Sequence, residues 1–208
     1  MKWKKAISIV CMALSLLAVT ACGGQQAAQN GGGAGTAAAE KAPAKAKKVL
    51  VVYYTNTHRT EQVAKAIAGE TGGDLYLLDL ENPYTTADLD YNNKSARVYK
   101  EHDDPSLRNV ALKNAKPANW QDYDTVFVGY PIWWGIAAWP MDTFVKSNDF
   151  TGKTVIPFAT AYSSGLGSSA DQLKEMAGSK GTWLQGRCFT GTIQDSQVKD
   201  WVKSLGVK

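Results

Sequence analysis

From residue 48 onward, continuous apolar runs alternate with amphipathic stretches. Residues 49–54 read Val-Leu-Val-Val-Tyr-Tyr. Without polar alternation, both faces of such a strand must be covered, as in a parallel sheet between helix layers. Residues 61–70 place Val63, Ala64, Ile67 and Ala68 on one helical stripe, and Gly72-Gly73 closes the helix. Further strands are predicted over 74–80, 124–130, 153–160 and 182–189. The last helix begins near Asp195 and carries Val198, Trp201, Val202 and Leu205 at helical spacing. A crossover helix is expected within 87–101, although the segment 81–120 is longer than a crossover needs. Pro157 offers no ladder donor, so it belongs near a strand end or a bulge. Regular alternation of strand and helix predicts an α/β fold, a doubly wound, five-stranded parallel sheet.

The first 47 residues follow another pattern. Lys2, Lys4 and Lys5 precede an uncharged run from Ala6 to Ala21, which is shorter than the roughly 20 residues of a spanning helix. A basic start, an apolar centre and small residues at its end read as a secretory signal over 1–21. Val19-Thr20-Ala21-Cys22 resembles the lipobox of bacterial lipoproteins. That resemblance implies cleavage before Cys22 and acylation of its thiol, hence an extracytoplasmic protein lipid-anchored in the bacterial cell envelope. Two or more acyl chains anchor stably, since each buried methylene contributes ~0.8 kcal/mol. Residues 23–47 are Gly, Ala, Gln and Lys with almost nothing to bury, a flexible tether reaching ~25–30 Å. The remaining residues, 48–208, form the folded domain.

Charge removes one class of partner. The formal net charge is +4, but residues 1–47 hold six lysines and one glutamate. The domain is close to neutral, so no nucleic-acid footprint is expected. Three cysteines (Cys11, Cys22, Cys188) and two histidines (His58, His102) leave neither a disulfide framework nor a zinc set. Cys188 reads as a small buried hydrophobe. His102 and the pairs Asp103-Asp104 and Asp88/Asp90 read as solvated surface, and no catalytic triad is visible.

In an open parallel sheet, ligands bind at the carboxyl ends of the strands. Three loops there carry unusual chemistry. The first is Thr55-Asn56-Thr57-His58-Arg59-Thr60. Its hydroxyls and the free N–H groups of the following helix make a cradle for a phosphate, although the same threonines also suit a helix cap and a polar turn. No P-loop lysine is present, so a nucleoside triphosphate is a poor match. The second loop contains Pro131-Ile132-Trp133-Trp134-Gly135 and, further on, Trp139. Three tryptophans so close together suit a flat conjugated ring better than a core, because each indole N–H asks for a partner. The third is Ala161-Tyr162-Ser163-Ser164-Gly165, where small residues permit close backbone approach and Tyr162 offers another aromatic face. A phosphate at one end and a flat ring at the other is the shape of flavin mononucleotide (FMN).

At this point residues 48–207 resemble the flavodoxin family. Tyr53-x-Thr55-x-x-His58-x-Thr60-x-x-x-Ala64 is similar to its phosphate-loop signature, with His58 standing where a small residue, usually glycine, is expected. Gly129 to Gly135 (Gly-Tyr-Pro-Ile-Trp-Trp-Gly) and Ser164 to Ser169 (Ser-Gly-Leu-Gly-Ser-Ser) are similar to a flavodoxin-like subfamily of bacterial reductase-type proteins and lipoproteins. The resemblance implies sheet order 2-1-3-4-5 of the short-chain type, with FMN as cofactor. Thr55, Thr57 and Thr60 would hold its phosphate, Trp133 or Trp134 would stack on its ring, and Tyr162 would lie opposite. Gly135 would let the backbone turn as the flavin changes redox state. Residues 129–140 and 160–170 contain no acid, so little negative charge opposes a reduced, anionic flavin. The function expected is electron transfer, with a redox protein or a small-molecule acceptor as partner. An FMN-dependent reductase of quinones or other small acceptors, and a flavin-free binding lipoprotein, are the alternatives.

Overall fold

A computed structural model describes residues 47–207, and these fall within one compact unit. The signal expected over 1–21, the lipidation expected at Cys22 and all but the last residue of the tether expected over 23–47 lie outside the described residues. The strands are β1 (Val49–Tyr53), β2 (Asp74–Leu77), β3 (Thr125–Trp133), β4 (Ile136–Ala137), β5 (Thr154–Thr160), β6 (Thr182–Trp183) and β7 (Arg187–Phe189). The helices are α1 (Arg59–Thr71), α2 (Arg97–Asp103), α3 (Pro140–Ser147), α4 (Ser169–Met176) and α5 (Asp195–Ser204).

Five parallel positions run in the order β2-β1-β3-β5-β6, with β7 continuing the edge beside β5. This is the expected doubly wound order. Every residue of β1 is buried, as its unbroken apolar run requires. One core cluster lies between the sheet and α1 and α5, around Val51, Ile67, Phe127, Phe158 and Trp201. The other lies on the opposite face, around Leu50, Val128, Tyr130, Phe144 and Leu173.

Two expectations are corrected. The fifth strand is not one run over 182–189 but two short segments, and Pro157 is the reason. Thr154 faces Thr182 while Phe158 faces Arg187, so the edge carries one residue more than its partner. The bulge stands opposite Pro157, which has no N–H to give it. The crossover helix is also later than expected, at Arg97–Asp103. Residues 85–95 are held instead by side chains that bond their own backbone. Thr85 N–H donates to Asp88 (2.9 Å), Asn92 N–H to Asp90 (3.1 Å) and Ser95 N–H to Asn93 (2.9 Å). Such local bonds compete with the helix ladder. The chain also holds a hairpin that no strand pattern announced: β3 runs on to Trp133 and folds back antiparallel onto β4.

Candidate functional site

The carboxyl end of β1 lies beside β3, Tyr53 opposite Gly129, so the loop after β1 meets the last residues of β3 around a common cavity. In the first loop, His58 takes a left-handed conformation (φ 61°, ψ 0°) at the start of α1. That requirement explains why glycine is usual there, and histidine is among the residues that tolerate it. The imidazole turns outward, 85% exposed, with Nδ1 2.6 Å from Glu61 Oε2, and so leaves the cradle open. Arg59 is also drawn away, its Nη2 donating to the carbonyl of Gly191 at 2.7 Å. The buried hydroxyls of Thr60 and Thr160 pair at 2.8 Å, tying α1 to the end of β5. Thr57 is exposed.

Two atoms of this loop are left without partners: Thr55 Oγ1 and Asn56 Oδ1 are buried yet hydrogen-bonded to nothing. The other end of Asn56 is fixed, because Nδ2 donates to the Tyr54 hydroxyl at 2.6 Å. Burial pushes that phenol up to about 12, so it stays neutral. A buried polar atom without a partner costs free energy, about 1–3 kcal/mol, and so calls for a partner from outside the fold, water or a ligand.

Beside these atoms opens a cavity of about 180 Å³. Thr55, Asn56, Thr57 and Thr60 form one end, and Pro131, Trp133 and Trp134 form a wall. Leu89, Tyr91 and Val98, none of which sequence reasoning selected, also line it. The only sequence signal for them is the surplus length of the 81–120 segment. Ile132 pairs with Ala137 and Trp133 with Ile136, which leaves Trp134 and Gly135 as the hairpin tip. Trp133 is wedged edge-on between Tyr84 (5.2 Å), Tyr54 (6.0 Å) and Trp139 (5.4 Å), whereas Trp134 is exposed. The third loop does not line this cavity. Ala161 is buried, its N–H on the carbonyl of Phe189, and Ser163 and Gly165 are exposed. Tyr162 stands almost wholly in solvent at 95% exposure.

Helix α2 is held against the site by a buried carboxylate. Glu101 accepts from Tyr84 Oη (2.6 Å) and Arg97 Nε (2.8 Å), and the Arg97 guanidinium covers the Tyr84 ring at 3.9 Å. Burial, reinforced by Glu101, raises the Tyr84 phenol far above its usual range, so it acts as a fixed donor. His102 is not free surface, as the sequence had it: its ring stacks on Trp134 at 4.5 Å.

The fold and site define a class: a doubly wound α/β protein whose inner strands present, at their carboxyl ends, an open polar loop joined to an aromatic slot. The chain belongs to the flavodoxin family, whose family model, described as flavodoxin, matches residues 48–205. It is 40% identical to a candidate flavoprotein from Bacteroides eggerthii DSM 20697 (TM-score 0.69), over 77% of this chain and 99% of that one. A candidate flavoprotein from Bacteroides uniformis ATCC 8492 is 36% identical (TM-score 0.69), over 76% and 99%. A flavoprotein from Lactobacillus acidophilus NCFM, solved in complex with FMN, shares the fold at 22% identity and TM-score 0.53, over 75% of this chain and 99% of that one. No curated protein matches the chain. The match takes in 99% of each of the two Bacteroides chains, so they consist almost wholly of this domain.

Proposed function

We propose that this chain binds FMN and carries electrons at a bacterial cell envelope, tethered through a lipid on Cys22. The observation that supports this best is the pair of buried, unpartnered atoms, Thr55 Oγ1 and Asn56 Oδ1, at the cradle end of the aromatic slot. The donor set fits the cofactor. The Thr55 hydroxyl can donate to a phosphate oxygen, Asn56 Oδ1 can accept from a ribityl hydroxyl, and the first amides of α1 carry no helical partner. Bound FMN supplies one- and two-electron chemistry, and the protein supplies position and electrostatics. Trp133, locked by its neighbours, gives a rigid apolar wall for the ring and excludes water from that side. Leu89, Tyr91 and Val98 add further apolar lining, with Val98 buried. No acidic group stands in residues 129–140 or 160–170, which favours electron uptake by an anion-forming ring.

The test is the visible spectrum of purified residues 48–208, with FMN fluorescence followed during titration. A yellow protein that quenches added FMN supports the reading. A colourless one that ignores FMN overturns it. Steady turnover with a nicotinamide donor and a quinone would replace the carrier with a reductase. The anchor is tested separately: Cys22→Ser should move the full-length chain from the membrane fraction to the soluble one, and retention in the membrane would refute the lipid.

A further inference from the structure

The β3–β4 hairpin turns through Trp134 and Gly135, at φ 46° and 81°. A two-residue hairpin loop with both residues left-handed is a type I′ turn, whose first position ordinarily holds Asn, Asp or Gly. Tryptophan there is strained, so its surroundings must hold it. The His102 imidazole lies on the Trp134 ring at 4.5 Å and 25°, Tyr99 meets it edge-on at 6.3 Å, and Trp139 runs parallel to it at 6.4 Å. Arg108 secures both sides of this stack. It donates to the carbonyls of Glu101 (2.7 Å) and His102 (2.6 Å) while covering the Trp139 ring at 4.4 Å.

We propose that His102 is a positioning residue of the flavin slot: its imidazole clamps Trp134 from the solvent side, holds the strained hairpin tip in shape, and tightens when it gains a proton. This rests on the FMN reading above. An imidazolium over an indole face is attracted by the ring quadrupole, whereas a neutral imidazole offers only stacking. The groups facing the ring are few. On its own helix, the Tyr99 ring lies edge-on at 6.4 Å and Asp103 Oδ1 lies 3.2 Å from Nδ1, where it pairs with the ring when charged. From the following turn, Arg108 touches the backbone carbonyl of His102. From the hairpin comes Trp134. The side chain is 36% exposed, so one part of the ring meets solvent while another lies on the indole.

The experiment uses residues 48–208 as wild type, His102→Ala and His102→Phe. The indole N–H resonance of Trp134, assigned with Trp134→Phe, is followed from about pH 5 to 8 without flavin. It should titrate in wild type and stay flat in His102→Phe. The FMN dissociation constant should rise about three- to tenfold in His102→Ala, the range of one aromatic contact, and return to within about twofold of wild type in His102→Phe. Wild type should lose affinity with rising pH more than His102→Phe does, because only wild type can place an imidazolium on the indole face. Unchanged affinity in His102→Ala, no recovery in His102→Phe, an indole that does not titrate, or identical pH profiles would each overturn the clamp. A wild type whose indole titrates but which binds no FMN overturns the cofactor reading and supports the clamp.

Discussion

Gly129→Ala tests whether the sheet behind the site is packed as tightly as its geometry states. Gly129 sits in β3 between Tyr53 of β1 and Phe158 of β5. A methyl group there would lie 2.0 Å from Phe158 Cζ and 2.4 and 2.6 Å from the two Cε atoms. An ordinary contact begins near 3.4 Å, so the ring would have to retreat by well over an ångström. It has nowhere to go, because Phe158 is wholly buried in the cluster with Val51, Phe127 and Phe189. Overpacking ordinarily costs about 1–3 kcal/mol, and a clash this short against an immobile ring belongs at or above the upper end. About 3 kcal/mol in a domain of this size lowers Tm by roughly 6–12 °C. Urea and thermal melts of the domain measure it. Combining the change with Phe158→Leu should cost less than the two single changes added together, because the shorter side chain removes the clash. A Gly129→Ala domain within about 0.5 kcal/mol of wild type, a value typical of harmless surface changes, would refute the argument. The site should suffer as well, since the Gly129 carbonyl accepts the N–H of Tyr54 at 2.9 Å, the residue that leads into the cradle.

Two further changes have opposite logic. Thr55→Val keeps the shape but removes a buried hydroxyl that bonds to nothing, so melts should show stability unchanged or slightly raised. FMN affinity should fall about tenfold or more, the worth of a hydrogen bond to a charged group, and equal affinity would exclude Thr55 from the cradle. Asp142 has its carboxyl pushed up to about 6 by burial, against an ordinary 3.8. The folded state therefore holds that proton more tightly than the unfolded state, and its contribution to stability is lost as pH rises from about 4 through 6. Asp142→Asn should remove this dependence and stabilise the domain at pH 7 by about 1–2 kcal/mol, the full shift being discounted for partial exposure. A less stable variant at pH 7 would contradict the assignment.

Local pattern was enough for the architecture. A strand buried on both faces must be apolar throughout, and a helix on a sheet must keep one stripe, so β1, α1 and α5 could be read from neighbouring residues alone. The first loop is local as well, because Thr55 to Thr60 lie together in sequence as they do in space. Even Pro157 announced its bulge, since a missing donor is a property of the residue. What only the tertiary structure decided is the rest of the slot's lining and the state of the aromatic residues around it. Leu89 and Tyr91 come from a segment whose turns are held by Thr85, Asp88, Asp90 and Asn93, and such side-chain bonds leave no periodicity to read; Val98 follows in the first turn of α2. His102 looked like solvated surface because nothing near it in the chain explains it; its partner, Trp134, is thirty-two residues away. Tyr162, equally aromatic in sequence, stands in solvent. Hydrophobic periodicity reports the direction in which one element buries its face. Which loops then meet across the end of the sheet depends on strand order and on packing between residues distant in the chain, and those are properties of the folded whole.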